Sequence, residues 1–455
     1  MERRTFLQAG GAAGVALGLS QVTSSFASEP AAFGPAGRVE VTGAAEAVVG
    51  DEGETAYVAT NDGFATVDIT DPDDPAILEE RFPLEVDGST LTNVLDVKVD
   101  GDRLAVVGPG EQTSADVFHG FVLYDVSDPA EPTVAAAPYE TEYHIHNCFL
   151  DGDTLYLVAN SVEVDGVETN PLVVFDVGDD DPTEIARWSL LEREPEWRDV
   201  HWLVRYLHDV YVHDDIAYLA YWNAGTYLLD VSDPAAPEYI SHVRETDLER
   251  QLELPDDVAQ LGLPGNDHYS AVDDTGDLLA VGREAWAIDG AGPDEPGGID
   301  LYDVSDPAEP TQLSSIDAPE ADDATYYGGE WTTAHNFELR DDRLYSSWYQ
   351  GGVKIHDVSD PADPVELAHW HERDTAAFWT ARVADEETIV ASSTSQVPEA
   401  DTEGALYTFP RDSSGAGASA DDETPGFGAL AGTAGLAGSV AALEWLRRRE
   451  NGGER

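Results

Sequence analysis

The 455-residue chain has twelve histidines, and four of them fall at one position of a repeated strand pattern. They are His146 in His-Asn-Cys-Phe-Leu, His208 in His-Asp-Val-Tyr-Val, His268 in His-Tyr-Ser-Ala-Val and His335 in His-Asn-Phe-Glu-Leu. Imidazole is a ligand for zinc, copper, iron and nickel, so a convergent set predicts a metal centre. A structural reading stands beside it, in which the rings hydrogen-bond main chain and lock neighbouring repeats together. His144 stands two residues before His146 and shares its strand face, which makes it a further candidate ligand or base. Cys148 continues that face and reads as a buried, inert thiol.

The segments before three of these histidines are long and aromatic or charged. Residues 188–207 carry Trp197, His201, Trp202, Arg205 and Tyr206, and residues 243–267 are charged with a helix-like pattern. The segment before His335 holds Tyr326, Tyr327, Glu330 and Trp331. Long connections at one end of a repeat architecture often carry binding. His144, Arg205, Glu330 and Trp331 are therefore the candidate ligand-contacting residues, with Glu284 as a weaker candidate acid. No nucleotide-binding glycine loop, Gly-x-Ser-x-Gly elbow or His-Glu-x-x-His pair is present, so phosphoryl transfer and serine hydrolysis find no support.

The elements that must position these residues are short strands. Six segments align on their first Asp, at 68, 125, 176, 230, 303 and 357, and most read Asp-Val-Ser-Asp-Pro or a near variant. Upstream of each lie two apolar strands joined by an Asp-rich turn, and downstream a fourth strand. Proline after a β run stops the ladder because it has no N–H, and Asp and Ser side chains can close the turn on main-chain N–H groups. Four strands per unit of about fifty residues is the blade of a propeller. A seventh unit, from Phe378 to Phe409, lacks its outer strand. Arg38-Val-Glu-Val-Thr42 is an orphan strand that can fill that place and leave no open edge. The expected fold is all-β: a seven-bladed β-propeller of four-stranded antiparallel blades over 38–410, its ring closed by an N-terminal strand. The first strand of each blade lines the channel, which aims the four imidazoles at one region near its mouth.

These units resemble the LVIVD repeat of secreted bacterial and archaeal propellers, over roughly residues 44–410. The resemblance implies the fold and little about chemistry.

Both ends read as processing signals. Arg3-Arg4, an apolar run over 9–19 and Ser25-Phe26-Ala27 resemble a twin-arginine export signal over 1–27. A low-complexity linker (411–424) leads to Pro425-Gly426-Phe427, an apolar stretch and Arg447-Arg448-Arg449. This 425–455 segment resembles the PGF sorting signal of archaeal surface proteins. The resemblance implies an extracellular protein that meets the membrane only through its C-terminal segment or a lipid anchor. The 91 acidic against 23 basic residues give a net charge of -68, which excludes nucleic acid as a partner. This composition resembles that of extremely halophilic archaeal proteins.

Two functional classes remain open. One is a surface binding module for a protein, glycan or small molecule at the long-loop face, with or without a metal at the channel mouth. The other is a metal-dependent oxidoreductase with copper or iron on His146, His208, His268 and His335; zinc is the third candidate ion. A weaker third idea is metal-assisted lyase or hydrolase action on polysaccharide.

Overall fold

A computed structural model describes residues 33–113, 116–288 and 295–411. The export signal (1–27), the C-terminal segment (425–455) and all of the linker except Arg411 lie outside the described residues. Seven antiparallel blades, each built on four strands, follow one another around an axis. The sheet of blade 1 runs Ala47–Val49, Thr55–Ala59, Phe64–Asp68, Ala76–Arg81. Blades 3 to 6 repeat that order, and blade 2 has a fifth short strand, Tyr139–Glu140, beside Gly120–Asp125. The seventh sheet consists of Phe378–Val383, Thr388–Ser393 and Ala405–Pro410, with Gly37–Glu40 as its outer strand. The closing strand is antiparallel to its neighbour, with Gly37 opposite Thr408 and Glu40 opposite Ala405.

The recurring aspartates are turn residues. Asp125 Oδ1 accepts from the main-chain N–H of Ser127 at 2.9 Å and from its hydroxyl at 2.6 Å. The same pair of bonds recurs at Asp230, Asp303 and Asp357. The proline that follows has a second use. Its carbonyl accepts a hydroxyl from the preceding blade: Thr66 to Pro129 at 2.6 Å, Ser241 to Pro307 at 2.5 Å and Ser314 to Pro361 at 2.6 Å. Thr408 donates to Pro72 at 2.5 Å and so ties the seventh blade to the first.

The core lies between blades, where alternate residues of facing sheets interdigitate. Leu155, Leu157, Val173 and Phe175 of blade 3 meet Ala105, Val107, Phe121 and Leu123 of blade 2. Cys148 belongs to this layer. It does not continue the face of His144 and His146, because the register shifts between Ile145 and Cys148 and breaks the strict alternation. It is fully buried, and burial raises its thiol pKa, so it is an inert packing group. Among the described residues no helix is long and apolar enough to cross a membrane. The short helices Leu190–Arg193, Leu248–Gln251 and Asp256–Leu261 sit in the connections that precede blades 4 and 5.

Candidate metal and ligand site at the channel mouth

One residue of each blade, within two positions of the start of its innermost strand, stands at the mouth of the channel: Ala45, Leu95, His146, His208, His268, His335 and Trp379. Main-chain pairing to the second strand fixes the position, as in Ala45 N–H to Ala59 O (2.9 Å), His208 to Ala220 O (2.8 Å) and His335 to Ser347 O (3.0 Å). The four imidazoles form a continuous run of rings. Centroids are 4.2 Å apart for His146 and His208, 3.9 Å for His208 and His268, and 4.4 Å for His268 and His335. Trp379 continues the run at 4.4 Å from His335.

The four rings are not equivalent. Nδ1–H of His146 donates to the Gly110 carbonyl at 2.8 Å, and Nδ1–H of His335 donates to the Trp379 carbonyl. A carbonyl can only accept, so these bonds fix the tautomer and leave Nε2 unprotonated in the neutral ring. On His208 and His268, Nδ1 is buried without a partner. Burial is the largest cause of the lowered pKa of all four, down to about 4 for His146 and about 3 for His335. At neutral pH they are uncharged, the form that ligates a metal.

Glu284 joins the central pair. His208, His268 and Glu284 can each offer a ligand atom such that all three lie within 4.8 Å of one another. Nε2 of His268 is 3.7 Å from Oε2 of Glu284, and the Tyr349 hydroxyl donates to Oε1 of Glu284 at 2.5 Å. Burial raises the Glu284 pKa to about 7, against the pull of the Tyr349 hydrogen bond. Glu111 stands nearby, raised to about 8 by burial and by Glu284.

Above these groups lies a cavity of about 130 Å³ with mainly aromatic walls, including Trp202, Tyr206, Trp222, Trp286, Tyr326 and Trp331. That is room for several waters or one small organic molecule. His144 lines it, with Nε2 3.0 Å from the Tyr206 hydroxyl, and burial lowers its pKa to about 3. Trp331 lines it too, with its indole N–H donating to the Tyr326 carbonyl at 3.0 Å. Arg205 and Glu330 are not among the lining residues. Arg205 is buried and donates to the Glu168 carbonyl at 2.8 Å, and Glu330 pairs with Arg373 at 2.7 Å.

The connection between second and third strands also faces the mouth, which the histidine alignment did not address. It delivers Glu111, Trp222, Glu284, Trp286 and Tyr349. Trp222 and Tyr349 occupy the left-handed region at φ 44° and 45°, an outlier for a bulky side chain. Each is held there by main-chain bonds to the next blade: Asp267 N–H to Trp222 O at 3.2 Å, and Phe378 N–H to Tyr349 O at 2.9 Å. Three residues later, Gly225 and Gly352 complete the turn. A Cβ there would lie 2.2 Å from Val243 O and 2.0 Å from Trp370 O. The sequence signal is a second repeat, Tyr-Trp-Asn-Ala-Gly225 against Trp-Tyr-Gln-Gly-Gly352.

With the blades and the mouth defined, the chain can be set beside known proteins. Residues 49–80 and 205–244 match the LVIVD repeat. The protein is a repeat propeller. By fold it is similar to the Cps50 (Swd1) β-propeller domain of Myceliophteria thermophila, with TM-score 0.55 and 9% identity over 83% of this chain and 99% of that one. It is likewise similar to the RRP9 WD40 repeats, with TM-score 0.53 and 9% identity over 84% and 98%. At that identity the likeness concerns architecture alone. No curated protein matches by sequence.

Proposed function

We propose that this propeller is an exported, surface-anchored binding protein that takes a small molecule into the mouth cavity, over a metal ion held by His208, His268 and Glu284. The observation that carries this reading is the buried His–His–Glu group with mutually close ligand atoms at the floor of an aromatic cavity. A carboxylate beside two imidazoles suits zinc or iron(II) better than copper(I), which prefers soft sulfur donors. His146 and His335 flank the pair, each oriented by a main-chain carbonyl in the manner that stiffens metal-binding rings. The cavity is too small for a folded partner and apolar on most of its wall, which favours a small ligand over a protein or a glycan chain.

The second reading is a metal-dependent oxidoreductase. It is favoured by the small number of close protein donors, since two histidines and one carboxylate leave coordination positions free for oxygen or substrate. The bound ion would supply Lewis acidity or one-electron chemistry there. The protein's own part would be to exclude water with Trp222, Trp286 and Trp331 and to hold Glu284 through Tyr349.

Elemental analysis of the full chain purified from concentrated salt tests the site. Wild type should carry about one zinc or iron per chain, and Glu284→Gln and the His208→Ala/His268→Ala double variant should lose it. Equal metal in all three removes both metal readings. If iron is present, oxygen uptake in the presence of a reductant separates the enzyme from the binding protein.

A further inference from the structure

One residue along each innermost strand, directly beneath the histidines, lies a second and different layer. The small cavity there is lined by Glu46, Asp96, Asn147, Asp209 and Asn336, with the histidine rings as its roof. These five side chains are at most 5% exposed. Two carboxylates have cationic partners. Asp96 pairs with Lys98 and also accepts the Cys148 N–H at 2.8 Å. Glu46 accepts from Arg382 at 2.7 Å and from Nδ2 of Asn336 at 2.6 Å. Arg382 donates in addition to Phe337 O at 2.6 Å and the Tyr269 hydroxyl at 2.9 Å, which holds it below the layer.

Asp209 has no such cation. Its Oδ1 is buried without a partner, as are Oδ1 of Asn147 and Oδ1 of Asn336. Because Nδ2 of Asn336 is committed to Glu46, oxygen is the atom this amide leaves open. Three oxygen acceptors thus line one small cavity. Three carboxyl groups (Glu46, Asp96, Asp209) against two cations (Lys98, Arg382) leave Asp209 unmatched, and burial raises its pKa well above the ordinary value, so without a cation it holds a proton. The other unpartnered atoms on the wall are Nδ1 of His208 and His268, and neutral rings bring no compensating charge. As a bare carboxylate Asp209 would cost several kcal/mol, so a cation bound there takes the place of the proton. A water could satisfy two of the acceptors and would leave Asp209 protonated. The cavity holds about 10 Å³, close to the volume that one water-sized occupant requires.

We propose that this layer binds one monovalent cation, sodium by size, through Oδ1 of Asp209, Asn147 and Asn336. Oxygen-only donors are the ligands of hard cations. A single positive charge brings the layer to neutrality, whereas a divalent ion would leave it in excess. The cation stands on the propeller axis, where it links the inner strands of blades 3, 4 and 6. It is independent of any metal in the histidine layer above.

The test compares thermal unfolding of the full chain in sodium, potassium and N-methylglucamine chlorides at one fixed ionic strength, so that general screening is constant. The expected result is a midpoint several degrees higher in sodium, with a saturable dependence, and loss of that increment in Asp209→Asn. Equal midpoints in the three salts, or a sodium increment that survives in Asp209→Asn, overturn the proposal. If the variant does not fold, a crystal structure of the wild type from sodium chloride decides. Oxygen contacts of about 2.3–2.6 Å, the range of hard cations, support the ion. Contacts at hydrogen-bond lengths of about 2.7–2.9 Å identify a water and refute it.

Discussion

Tyr349 donates its hydroxyl to Glu284 across the boundary between blades 6 and 5, at 2.5 Å. Glu284 is the carboxylate that stands 3.7 Å from Nε2 of His268. A residue of one blade thereby orients a candidate metal ligand of another. Outer hydrogen bonds of this kind typically contribute 10–100-fold to metal affinity. Tyr349→Phe keeps the ring packing against Trp331 and His335 and removes only the hydroxyl. The expected outcome is zinc or iron affinity weaker by about 10–100-fold with unfolding little changed, measured by competition with a chelator. Unaltered affinity would separate Glu284 from the metal.

Glu111 gives the pH dependence a sign. Its folded pKa is about 8 against an ordinary 4.5, because burial and Glu284 disfavour the carboxylate. The folded state therefore keeps a proton that the unfolded state loses, and stability falls as pH rises from about 4.5 to about 8. Glu111→Gln removes that slope. The variant should gain on wild type with rising pH, seen as a difference in thermal midpoint that grows from pH 5 to pH 8. A difference constant with pH would contradict the assignment.

The ion pair of Arg382 with Glu46 is buried, and breaking such a pair from one side leaves a bare charge. Arg382→Met should cost about 3–5 kcal/mol. Adding Glu46→Gln to it should restore part of the loss, because the orphaned carboxylate is gone. Denaturant titration in concentrated salt measures both, and a double variant as unstable as the single one would count against charge burial as the cause.

Thr408 and Pro72 make the same hydroxyl-to-carbonyl tie at the ring closure as Ser314 and Pro361 make within the ring. Thr408→Val should cost about 1–3 kcal/mol, because its hydroxyl also accepts the Gly37 N–H at 2.9 Å and two hydrogen bonds are lost, and Ser314→Ala about 0.5–1.5 kcal/mol for one. A loss several-fold larger at Thr408 alone would mark the closure as the weak point of the ring.

What could be read from the chain depended on whether the repeat carried it. The turn chemistry of Asp125 and Ser127 and the closure by the N-terminal strand follow from local rules, since Pro129 ends a strand and an unpaired edge needs a partner. The convergence of His146, His208, His268 and His335 followed from counting along a repeat with a fixed geometry. Trp222 and Tyr349 were harder to see, because a left-handed aromatic has no propensity signal and only the following Gly225 and Gly352 hint at the turn. Glu284 could be named as an acid but not placed, since its neighbour Tyr349 is 65 residues away in sequence. Arg205 and Glu330 were reasonable from composition; whether they turned to the cavity or to Glu168 and Arg373 depended on loop paths that no period dictates. The face of Cys148 was misjudged for one reason, a bulge, which resets the alternation without any mark in residue type.

The closing strand has a mechanical consequence. Gly37 lies opposite Thr408, and Ala36 N–H still bonds Thr408 O at 2.8 Å, so the described residues begin and end at the same corner of the seventh blade. Tension drawn between the two ends would meet the hydrogen bonds of Gly37–Glu40 one after another, as a zipper meets its teeth, and not all together in shear. A tether on both ends would open the ring at this seam first, while a tether on one end alone would leave the seam unloaded.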